Sequence, residues 1–155
     1  MAARARAATG AGVIATALLV ALFGNQAFTG WVARHIDDYT IWGWFLHTLS
    51  WPVWTVTSTI PVRDLLAQDL RAVLLVVFVA LVLAFSRAGT GFLPGWASLI
   101  FGSALAAFVT AFVASHSSWL GAFEAAGDGA KYGLFVGWIT GIAVATAKSR
   151  VAASA

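Results

Sequence analysis

Between Arg71 and Arg87 the chain reads AVLLVVFVALVLAFS, fifteen residues without a charge. Coiled into a helix, this run is about 22 Å long, and Val and Leu cover its whole circumference. A helix that is apolar all round has no side for water, so it belongs in a protein interior or in lipid. The rest of the chain decides between the two. Its 155 residues are 61% hydrophobic and 10% charged, more apolar surface than an interior of this size can hide. The bilayer is the expected solvent. Arg71 and Arg87 can snorkel to lengthen the run toward a hydrocarbon core about 30 Å thick.

Three further stretches read as spans. Thr9 to Trp31 contains AGVIATALLVALFG behind Arg4 and Arg6. A basic start and a short apolar run also fit a secretory leader, but Asn25 stands where a cleavage site wants a small residue and apolar character resumes at Ala27 and Phe28. It is read as an uncleaved span. Residues 94–115 form another, opened by Pro94, whose missing N–H is harmless in a first helical turn. Residues 130–148 form the fourth.

Residues 33–70 are read as an outer loop. Within it Ile41, Trp42, Phe45, Leu46 and Leu49 share one helical face, with Thr40, Gly43, His47 and Ser50 opposite, and Pro52 ends the pattern. An amphipathic, tryptophan-rich segment of this kind lies in an interface, so residues 40–51 are expected to form an interfacial helix, followed by the extended connector WTVTSTIPVRD. A fifth span here is the alternative. The Lys/Arg distribution does not separate the two topologies. The expected architecture is an all-α polytopic membrane protein, residues 1–155 forming one membrane domain of four transmembrane helices (9–31, 71–87, 94–115 and 130–148) plus the outer interfacial helix. Both termini are placed in the cytoplasm. The arginine-rich, lysine-poor composition suggests a bacterial chain, hence a multi-pass protein of the plasma (inner) membrane.

The last span carries Gly129, Gly133, Gly137 and Gly141 at every fourth position, continued by Ala145. Glycine costs about 1 kcal/mol relative to alanine inside a helix. In lipid, where apolar burial gives two helices no reason to associate, a line of small residues allows close backbone approach. Ser98, Gly102, Ala106, Thr110 and Ala114 form a second such line, and the two are expected to pack groove to groove across the loop HSSWLGAFEAAGDG. The glycine line also fits a surface for self-association or for a partner.

Chemistry is harder to find. The chain has no cysteine, which excludes disulfides, thiolate catalysis and Cys-based metal sites. Apart from Arg71, Arg87, Lys131 and Lys148 at or near their ends, the four expected spans contain no charge, which argues against proton relays and voltage sensing. His35, His47 and His116 show no ligand spacing, RHIDD has too few oxygens for a cation site, and SHSSW lacks an orienting acid. No basic stripe supports nucleic-acid binding. Thr16, Thr110 and Thr140 are expected to bond their own backbones. No catalytic residue, cofactor or metal is expected.

Six of the eight tryptophans fall on the expected outer side. Trp42, Trp44, Trp51, Trp54 and Trp119 are read as an outer aromatic interface, which either docks on a partner or caps the bundle. The functional expectation is a non-enzymatic accessory or structural membrane subunit, in contact with membrane lipid and packing with other integral membrane proteins or with itself. A glycine-zipper homo-oligomeric channel or small transporter is the alternative.

Overall fold

The computed structural model describes residues 2–37, 39–56, 60–86, 91–114 and 118–153. Asp38, Arg87, Ser115 and His116, and the side chains of Arg4, Lys148 and Arg150, lie outside the described residues. The chain is all-helical: α1 Ala2–Phe23, α2 Gln26–His35, α3 Ile41–Leu49, α4 Val62–Phe85, α5 Phe92–Ala111 and α6 Trp119–Ala153. Four of these, α1, α4, α5 and α6, are long and apolar enough to cross a membrane. They close a ring in which α5 packs on α6 most extensively, α4 on α5, and α1 on both α6 and α4. The core gathers Leu19, Val20, Leu75, Val79, Leu99, Ala106, Tyr132 and Val136.

Every expected span differs in its bounds. The first is broken. Helix α1 stops at Phe23, and α2 starts anew at Gln26. A Cβ on Gly24 would collide with the backbone oxygen of Pro52, so only glycine admits that segment. Asn25 serves both helices. Its amide nitrogen donates to the carbonyls of Ala21 (3.1 Å) and Leu22 (2.6 Å), and its oxygen accepts from Phe28 N–H at 2.9 Å. Free carbonyls of one helix and free amides of the next are thereby met by one side chain. Trp54 completes the joint: its backbone N–H donates to Gly24 O (2.9 Å) and its indole N–H to Val20 O (3.1 Å).

The second span begins nine residues early, at Val62 rather than 71. Pro61 precedes the helix and Asp64 lies in its first turn, where a carboxylate complements the helix dipole. Ala67, Ala72, Leu75 and Val79 give the helix one continuous buried stripe. Residues 62–70, expected in the outer loop, are therefore helical. The third span ends at Ala111, short of 115. The fourth starts at Trp119, so most of the expected loop before residue 130 is also helix. Ser118 opens it, accepting from Gly121 N–H at 3.0 Å. Trp119 and Phe123 then hold this first stretch against Phe112 and Phe108 of α5. The 35 residues of α6 extend about 52 Å. The helix expected within residues 40–51 is present as α3, with Thr40 accepting from Gly43 N–H at 2.9 Å as its N-cap.

Candidate functional site

The glycine line of α6 forms a seam with α5. A Cβ on Gly129 would meet the backbone of Ser103 and Ala104. On Gly133 it would meet the backbone of Ile100 and Leu99, on Gly137 Trp96, and on Gly141 Phe92. Two hydrogen bonds tie the same seam. The Ser103 hydroxyl lies 2.6 Å from Gly129 O, and Trp96 Nε1 donates to Leu134 O at 2.9 Å. Ala145 falls one turn past the Phe92 start of α5 and is only half-buried.

The expected groove-to-groove packing is not what forms. The glycines of α6 receive the line Phe92, Trp96, Ile100 and Ser103 of α5, a ridge rather than a second groove. This is how helices interlock, since two grooves facing each other would leave a void. The small-residue line of α5 looks elsewhere. Gly102 abuts Val79 of α4, and Thr110 Oγ1 lies 3.4 Å from Arg71 Nε of the same helix. Ser98 and Ala106 are fully buried in the interior. Thr16 and Thr110 bond their own backbones at 2.9 and 2.8 Å, as expected. Thr140 does not: its hydroxyl is buried without a partner.

The tryptophans divide. Trp51 stacks on Tyr132 at 5.1 Å, and Trp54 is locked into the α1–α2 joint. Trp44 meets the edge of Phe135 at 4.6 Å. Trp42 and Trp119 are exposed, the latter apart from the others at the start of α6. The five do not form one surface. Two fasten the cap, and Trp44 joins Trp51 in lining a cleft.

That cleft, about 460 Å³, lies between α3 and α6. Trp44, His47, Thr48 and Trp51 line one side, and Asp128, Lys131 and Tyr132 the other. Lys131 Nζ and Asp128 Oδ1 pair at 2.9 Å, one turn apart on α6. Behind Trp51, the Arg71 guanidinium carbon sits 5.3 Å from the ring centre. His47 Nε2 lies 3.4 Å from Ile36 O, which fixes α3 to the end of α2.

The seam's register places these charges along the bundle. Gly129 is level with Ser103, eight residues inside the Ala111 end of α5, or about 12 Å at 1.5 Å per residue. Asp128 and Lys131 flank that level. They are charges within a helix long and apolar enough to span, as are Arg71 and Asp69 in α4. The expectation of charge-free spans is corrected accordingly. Asp69 has its own task there, accepting from Thr55 N–H at 3.0 Å to tie the connector to α4.

Sequence reasoning missed the cleft because Arg71 served as a span boundary and Asp128 fell in the expected loop before residue 130. The signal was there: Asp128 and Lys131 stand three apart, interleaved with the glycine series, on one helical surface. A larger groove of about 510 Å³ separates α1 from α4 and is apolar apart from Asp69 and Trp54 at one end. Among the described residues no group of three His, Asp or Glu side chains could hold a metal ion. No protein-family model, curated protein or solved structure matches this chain.

Proposed function

We propose that this chain is a non-enzymatic integral membrane subunit that packs beside other membrane proteins, with the outward face of α3 as its contact surface. The observation that carries the reading is the exposure of Ile41 and Trp42 (89% and 71%) on a helix whose Gly43 and Leu49 are buried, with Tyr39 (97% exposed) just before it. Large aromatic side chains left outward on a helix that is otherwise fastened down are the composition of interface anchors. The glycine line is filled by α5, so the homo-oligomeric channel loses the feature that motivated it. The reading also assigns the chain to a bacterial inner membrane, on its arginine-rich, lysine-poor composition, with both termini in the cytoplasm, since four spans return the chain to the side on which Arg4 and Arg6 begin it.

The test is purification of a tagged copy in mild detergent from its native membrane. A stoichiometric set of other membrane proteins is expected. Ile41→Ser with Trp42→Ala should release them while the monomer keeps its unfolding midpoint. A clean homo-oligomer, or a monomer with no companion, overturns the reading.

A further inference from the structure

We infer that the cleft between α3 and α6 seats the zwitterionic head group of a bilayer phospholipid, its ammonium on Asp128 and its phosphate on Lys131.

Charge comes first. The cleft is lined by one carboxylate and one ammonium, paired at 2.9 Å and both more than half exposed. A ligand that carries one charge of each sign can replace this pair partner for partner, with no change in net charge. An anionic or cationic ligand would leave one member of the pair facing a like charge or none.

The walls agree with the charges. Trp44 and Trp51 line the same cleft as Asp128. An ammonium beside the Asp128 carboxylate and the Trp44 ring gains from both. Trp51 already carries Arg71 and Tyr132 against its ring, so it serves as a fixed wall of the cleft.

The flank of α6 selects the source. Leu134, Phe135 and Trp138 are exposed on the same helix as Asp128 and Lys131, an apolar surface along which acyl chains can lie while the head group stays on the ion pair.

The experiment is native mass spectrometry of the full chain in mild detergent, titrated with phosphatidylethanolamine and, separately, with phosphatidylglycerol of the same acyl chains. One phosphatidylethanolamine is expected to bind about tenfold more tightly than phosphatidylglycerol, a difference of one decade in Kd. Asp128→Asn should abolish that preference, because only the ethanolamine lipid carries an ammonium, and Lys131→Gln should weaken both lipids, because both carry the phosphate; each alters only an exposed pair and should retain the unfolding midpoint. Equal binding of the two lipids overturns the inference, as does a preference that survives Asp128→Asn. Displacement of the bound lipid by glycerophosphoethanolamine, which has the head group and no chains, would overturn the bilayer as its source.

Discussion

Gly127 and Gly133 lie on one helix, but their surroundings set opposite requirements. A Cβ at Gly127 meets nothing within 4 Å, whereas at Gly133 it would strike backbone atoms of Ile100 and Leu99. Backbone cannot rotate away as a side chain can. Gly133→Leu is therefore expected to separate α5 from α6 and destabilise the fold by at least the 1–3 kcal/mol typical of overpacking. Gly127→Ala should stabilise by about 0.4–1 kcal/mol, because it only removes freedom from the unfolded chain. Reversible unfolding in mixed micelles measures both, and equal effects at the two sites would refute the seam. Tyr132 poses a different question at the same scale. Its hydroxyl is fully buried with no hydrogen-bond partner, while its ring stacks on Trp51. Tyr132→Phe keeps the stack and deletes the unpaired group, so it should raise stability by about 1 kcal/mol. A loss of stability instead would mean that the phenol has a partner, such as an ordered water.

Elements were legible in the sequence where charge was absent, and illegible at their ends. Fourteen of the fifteen residues between Arg71 and Arg87, and the whole glycine series, fell within long helices. The first nine residues of α4 did not read as helix, because Arg63, Asp64 and Asp69 look like loop charges until Ala67 is seen to be buried beside them. Likewise Gly127 and Asp128 fell in the expected loop, and only the ridge of α5 makes a helix there worthwhile. The same reason hid the cleft, whose charges lie on that stretch. The break at Gly24–Asn25 was the least visible, since it depends on Pro52 and Trp54, distant along the chain. It also yields a sharp expectation. Asn25→Ala removes the cap of α2 and both side-chain bonds to α1, and should cost about 1–2 kcal/mol. Asn25→Asp keeps the acceptor for Phe28 N–H but not the donors to Ala21 and Leu22, so it should recover only part of that loss. Full recovery would show that the α1 carbonyls do not need the amide.

Across the whole molecule, close packing is unevenly distributed around the ring. The α5–α6 side is a seam of glycine against backbone, and the α4–α5 side is closed by Gly102 against Val79. The α1–α4 side retains an apolar groove of about 510 Å³, lined in part by Ala17, Ala21 and Ala72. Substituting one residue type by another at these two kinds of site turns the difference into a measurement. Ala106→Leu adds three carbons at a position that is fully buried among α5's contacts; it should cost about 1–3 kcal/mol by forcing neighbours from their rotamers. Ala17→Leu adds the same carbons at an exposed position in the groove, where they displace lipid rather than protein, so the change should stay within about 0.5 kcal/mol. Lipid and leucine are equally apolar, which removes any hydrophobic gain that would blur the comparison. If Ala17→Leu proved as damaging as Ala106→Leu, the groove would have to close in the folded protein, and α1 would be held against α4 as tightly as α5 is held against α6.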